Sequence, residues 1–171
     1  TLAWETSNWG LGAEALAHGR RALQLSPRDP GLEWIYWVLS LSAYAAGDLD
    51  AAIGYGRQSL FLNPRNPGHH GVLAASLAEH GELDEAKKLM ENAHRQNPDY
   101  VISRLRGKTY FAVPELGTRY VAALRKAEAA LRCRTREQVH ATAGVHVRCD
   151  APAGPCPMCG DGACNGMETC S

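Results

Sequence analysis

Apolar and small residues recur at helical spacing through the first hundred positions, in blocks closed by glycine and proline. Ala15, Leu16, Gly19, Ala22 and Leu23 share one face of a helix predicted over 13–25. The next block, 31–46, carries a single charge, Glu33, and apolar residues all round, so its helix needs partners on more than one side. Helices follow at 48–62, with Ala52, Ile53, Tyr55, Leu60 and Leu62, and at 82–96, with Leu83, Ala86, Leu89, Met90 and Ala93. The other face of 82–96 holds Glu85, Lys87, Lys88, Glu91 and Arg95, the mixed-sign pattern of a solvated surface. Leu2, Ala3 and Trp4 read as part of a further helix that Trp9 and Gly10 close. Asp29 before Pro30, and Asn66 before Pro67, each offer an N-cap followed by proline at the first helical position.

Two of these blocks repeat. Gly47, Leu49, Asp50, Ala52, Asn63 and Pro64 return as Gly81, Leu83, Asp84, Ala86, Asn97 and Pro98, each 34 positions later. Gly47 and Gly81 fall where a helix ends in the left-handed conformation. Ala52 and Ala86 are small where two helices cross, and Pro64 and Pro98 stop the second helix of each pair. A partial earlier copy, with Gly10, Ala15, Ala22, Leu23 and Pro27, lies 37 positions before Pro64, so one linker or helix there is three residues longer. A period of this length predicts an all-α solenoid of antiparallel helix pairs.

These residues resemble the tetratricopeptide repeat (TPR) family over residues 1–98. The large aromatic usual in the second helix of that family is Gly56 in one copy and Met90 in the other. The resemblance implies a TPR-like right-handed superhelix in which the first helix of each pair lines a concave face. Carried over residue by residue, Trp34, Trp37, Leu41 and Tyr44 would line a partner-binding groove. Their spacing of three, four and three already puts them on one helical face. The next repeat offers Gly68, Gly71, Ala75, Ala78 and Glu79, a bare wall opposite an aromatic one, leaving room for a ligand peptide. The other reading of the stripe is core, covered by neighbouring helices such as repeats upstream. Thr1 enters inside helical-looking sequence, so the chain reads as a fragment and its start says nothing of compartment.

Beyond Pro98 the repeat breaks. Residues 100–110 start like another first helix, Pro114 interrupts, and an amphipathic helix follows over 115–131, expected to cap the open end of the stack. Charge shifts at the same place. The net charge is zero, but residues 1–102 hold 8 basic and 12 acidic side chains, and 103–148 hold 10 and 3. That basic segment, with Arg104, Arg106, Lys108, Arg119, Arg125, Lys126, Arg132, Arg134 and Arg136, has few aromatics at stacking spacing. It reads as a solvated face or a contact to the acidic repeat body rather than as a nucleic-acid surface. Hydrophobic content of 45% fits a globular body, and no run approaches the length of a membrane span.

The run through Asn97, Tyr100, Arg104, Leu105, Tyr110, Phe111, Pro114, Glu115 and Leu116 to Tyr120, Leu124, Arg125, Lys126 and Ala127 resembles the C-terminal end of bacterial class III adenylate/guanylate cyclase-type proteins. Similar arrays follow winged-helix transcription regulators. The resemblance covers about residues 30–127 and implies a regulatory arm; it brings no catalytic domain.

All six cysteines lie in the last 39 residues. Residues 133–155 gain glycine, proline and histidine and read as a linker; 156–171 form an irregular Cys-rich tail. Cys156, Cys159, Cys164 and Cys170, at spacings of three, five and six, could close a tetrahedral zinc site. The sequence from Cys159 to Cys170 also resembles a disulfide-stapled repeat of bacterial secreted and surface proteins, which implies Asp161, Asn165 and Glu168 as calcium ligands. A tail without any ordered site is the third possibility. Disulfides would place the tail outside a reducing cytosol, whereas the repeat body favours a cytoplasmic location.

Other signals lead nowhere. Gly107, Lys108 and Thr109 suggest a phosphate loop, but the upstream glycine would have to stand at Ile102. His69 and His70 point about 100° apart on a helix and do not chelate. The expectation is a non-enzymatic module with no cofactor in the repeat body (1–98) or the capping helices (99–132), binding a protein or peptide, possible partners including another domain of the same parent chain.

Overall fold

A computed structural model describes residues 2–142 and divides the chain into two units, 1–131 and 132–171. Among the described residues there are eight helices: α1 (Leu2–Asn8), α2 (Gly12–Leu25), α3 (Leu32–Ala46), α4 (Leu49–Leu62), α5 (Pro67–His80), α6 (Leu83–Gln96), α7 (Pro98–Leu105) and α8 (Pro114–Thr142). From α1 to α7 each helix packs on the next across a short turn, which makes neighbours antiparallel. The helices α1, α3, α5 and α7 also touch one another in sequence, so they form an inner layer, with α2, α4 and α6 outside. This is the all-α helical repeat that the 34-residue period predicts.

The punctuation is local chemistry. Gly47 and Gly81 sit at φ 81° and 103°, conformations that cost a Cβ-bearing residue energy. Behind them the amides of Asp48 and Glu82 donate to the Ala43 and Leu77 carbonyls, 3.0 and 2.9 Å away. The Asn66 side chain accepts from the Gly68 amide at 2.9 Å, with Pro67 at the helix start, as expected. Gly107 has φ 105° and ends α7, which explains the Gly-Lys-Thr run without any phosphate.

Asp29 and Pro30 do not start α3. The Asp29 carboxylate accepts from the Gly31 amide at 2.7 Å, closing a turn within the linker, and the helix begins at Leu32. The three extra residues of the first repeat therefore divide, two in the linker and one in the helix. The helix expected over 115–131 is longer as well. It reaches Thr142, so the start of the expected 133–155 linker is helical. The sequence allows this because residues 132–142 contain no glycine or proline, and the first linker-like glycine is Gly144.

Two glycines test the packing with opposite signs. A Cβ on Gly12 would lie 2.5 Å from the Ala46 amide nitrogen and 2.6 Å from the Ser42 carbonyl oxygen, both backbone atoms that cannot step aside. Gly54, on the exposed side of α4, has nothing within 4 Å. Gly12→Ala is expected to lose about 2 kcal/mol by overpacking. Gly54→Ala should gain about 0.5–1 kcal/mol from helix propensity and reduced chain entropy. Urea midpoints of the two variants check this; a stabilised Gly12→Ala would mean α2 and α3 are not in contact as described.

Candidate protein-interaction face

The inner layer brings the four predicted groove residues together but does not leave them open. Trp37, Leu41 and Tyr44 are buried, and Trp34 alone keeps solvent contact, at 42% exposure. Trp34 and Trp37, one helical turn apart on α3, lie 4.6 Å between ring centroids. Trp4 from α1 covers both, 5.6 Å from Trp34 and stacked on Trp37 at 5.2 Å. Three of the four are therefore enclosed within the chain's own packing. What covers them is this chain's own α1 and the segment that follows α7.

That segment fills the space between the aromatic and bare walls. Tyr110 meets Trp37 edge-on at 5.1 Å, and Phe111 and Tyr120 lie against Tyr44 at 6.0 and 5.9 Å. The bare wall is small because these rings press on it. A Cβ on Gly68 would come within 3.3 Å of the Tyr110 hydroxyl. One on Gly71 would be 3.1 and 3.4 Å from those of Tyr120 and Tyr100. The Trp37 indole nitrogen donates to the Gly68 carbonyl at 3.1 Å, binding the two walls together. The chain then reaches α1, where the Ala112 amide donates to the Asn8 carbonyl at 2.8 Å. α8 is therefore packed over the inner layer and does more than cap one end.

Charge fastens this arrangement. The Arg119 guanidinium makes a forked contact with Glu79, Nε at 2.8 Å and Nη2 at 2.5 Å from Oε2, and donates through Nη1 to the Tyr44 carbonyl at 3.2 Å. It also lies 4.5 Å above the Tyr44 ring, and the Tyr44 hydroxyl donates to Glu79. Burial first, and the Glu79 contact second, push the Tyr44 hydroxyl far above the usual phenol range. Lys126 donates to the Ala78 carbonyl at 2.9 Å. Arg104 lies over Tyr110 and Tyr100, 3.9 and 4.8 Å from their centroids. So Arg119 and Lys126 of the basic segment contact the repeat body.

The adjacent histidines are part of the packing. Burial holds both below their ordinary range, the Glu33 carboxylate opposing this at His69 and the Pro64 carbonyl at His70. His69 Nε2 lies 3.0 Å from Glu33 Oε2 without hydrogen-bond alignment, a contact that becomes an ion pair only when the ring is protonated. His70 Nε2 lies 2.8 Å from the Pro64 carbonyl. Among the described residues no group of three or more His, Cys, Asp or Glu could hold a metal ion. Cys156, Cys159, Cys164 and Cys170, with Asp161, Asn165 and Glu168, lie outside the described residues. Among the described residues, too, no helix is long and apolar enough to cross a membrane.

Sequence reading missed the occupant of the inner face. A usable signal was there: three tyrosines ten residues apart, Tyr100, Tyr110 and Tyr120, and two glycines, Gly68 and Gly71, that receive their hydroxyls. None of the curated proteins compared matches the chain. Residues 43–108, from within α3 to just past α7, match the family model of the tetratricopeptide repeat, and the fold of paired helices is a TPR-like all-α helical repeat.

Proposed function

We propose that the chain is a non-catalytic protein-interaction module, a rigid stack of helix pairs that presents side chains to a partner protein. Tetratricopeptide repeats generally mediate protein–protein interaction, and the match over 43–108 supports that role here. The observation that carries the reading is Trp34. It is a large aromatic left 42% exposed on a rigid inner layer, braced by Trp4 and Trp37. Aromatic anchors held in one rotamer by their neighbours lose little entropy on binding. Trp37 supports that anchor from inside, and Leu41 and Tyr44 of the same stripe are buried in the core.

A second reading is a regulatory arm of a nucleotide-cyclase-type or transcription-regulator chain. In its favour, Tyr110, Phe111, Tyr120 and Leu124, which carry that resemblance, are the residues that close the inner face.

The test is affinity capture with the purified chain beside Trp34→Ala, followed by reconstitution with the captured protein in pure form. Direct binding to the wild type that weakens in Trp34→Ala supports the proposal. Nucleotide turnover by the chain alone, or the absence of any direct binder, refutes it.

A further inference from the structure

The turns that join one helix pair to the next carry a second, separate surface. Leu25-Ser26-Pro27-Arg28-Asp29-Pro30 returns as Leu62-Asn63-Pro64-Arg65-Asn66-Pro67. In both copies the Asx side chain turns inward to cap backbone, Asp29 accepting from Gly31 and Asn66 from Gly68. The rest faces out. Leu25 is 68% exposed, Leu62 46%, and Phe61 beside it 83%, the most exposed large apolar side chain among the described residues. Pro27, Arg28, Pro64 and Arg65 are exposed as well. Neither guanidinium has a hydrogen-bond or ion-pair partner among the described residues, while Arg57, Arg104 and Arg119 all have one.

Both turns lie at the same end of the helix stack, since α2 and α4 each run antiparallel to α3. Gln96, which holds in α6 the place of Leu62 in α4, donates to the Pro64 carbonyl of the preceding turn at 3.0 Å. Two successive turns at that end thus supply one row in sequence, Leu25 and Arg28 and then Phe61, Leu62 and Arg65, all of them exposed. The third copy, Gln96-Asn97-Pro98-Asp99, replaces leucine by Gln96 and arginine by Asp99, and the row ends there.

We propose that this row docks an acidic protein segment in which carboxylates alternate with apolar side chains. Arg28 and Arg65 take the carboxylates, and Leu25, Phe61 and Leu62 take the apolar groups. Charge decides the occupant. Two unpaired guanidiniums on an edge with outward apolar groups complement a segment that is both acidic and apolar. Four prolines keep the two turns rigid before binding, which lowers the ordering cost. Nucleic acid fits less well, because two guanidiniums neutralise few phosphates and Phe61 is the one ring in the row, its other apolar members being leucines. Two guanidiniums fall short of the cluster of about four or more basic side chains that holds a protein on an anionic membrane. The inference rests on the interaction-module reading but uses a different surface from Trp34.

The experiment is a peptide-display selection on the full chain, with the enriched peptides then measured by fluorescence anisotropy. The expected peptides carry at least two Asp or Glu residues interleaved with apolar ones. Their affinity should fall about tenfold in the double variant Arg28→Glu/Arg65→Glu, and about tenfold in Phe61→Ala. All three positions are exposed, so circular dichroism should be unchanged. Neutral or basic winners, affinity indifferent to these variants, or no enrichment would overturn the proposal. So would single-stranded oligonucleotide, or phosphatidylserine–phosphatidylcholine vesicles, binding the wild type and losing the variants. Peptides that depend on Trp34 and ignore the turns would remove this surface while leaving the module reading intact.

Discussion

Tyr120→Ala is expected to remove about 3–5 kcal/mol of stability, the cost of emptying a buried aromatic site. The ring is fully buried and is the meeting point of Tyr44, Tyr110 and Phe111, all with centroids within 6 Å. A loss of that size is a large share of the 5–15 kcal/mol on which a domain typically stands. Tyr120→Phe separates ring from hydroxyl. The hydroxyl has no aligned hydrogen-bond partner, and burial pushes it well above the ordinary phenol range. Its removal should therefore change stability by less than about 1 kcal/mol. Chemical denaturation of the two variants decides the matter. A Tyr120→Ala protein as stable as the wild type would mean that α8 does not pack on the inner layer.

The second large effect concerns Arg119 and Glu79. Complete burial of an ion pair makes loss of one partner cost about 3–5 kcal/mol. Here the side chains keep 33% and 20% of their exposure, so solvent screening lowers the expected cost to about 2 kcal/mol for Arg119→Ala or Glu79→Ala. Arg119→Lys should recover only part of it, since an ammonium cannot reproduce the fork on Glu79 together with the Tyr44 carbonyl contact. A double-mutant cycle should give a coupling of about 1–2 kcal/mol. Additive single losses, with no coupling, would show that the two residues act independently.

The repeat was legible because its signals are local. A glycine that must be left-handed, an Asx before proline and a small residue at a helix crossing each reveal themselves within one turn of chain. That is why Gly47, Gly81, Asn66 and Pro67 are found where the sequence puts them. Asp29 and Pro30 show the limit of such signals. The same residue types, each followed by a glycine whose amide the side chain accepts from, start a helix at Asn66 and close a turn at Asp29, so the local pattern alone does not tell the two apart. The state of the inner face was not legible. Trp34, Trp37, Leu41 and Tyr44 share a face on any helix, but their exposure depends on Tyr110, Phe111 and Tyr120, far along the chain. The length of α8 was hidden differently: helix-forming residues ran past the expected stop without a breaker.

Arrays of repeats commonly behave as one-dimensional chains, each unit leaning on its neighbours, so that the ends fray first. The return of residues 106–126 across the inner layer changes that behaviour. Arg119 bonds to a carbonyl 75 positions earlier, and Ala112 to one in the first helix. No terminal pair can open without breaking contacts made by the far end. The contacts that close the structure must also await the whole stack, raising the mean sequence separation of native contacts above that of an open array. Folding should thus be slower than for an open array of the same length, and melting sharper, with both ends lost in a single cooperative step.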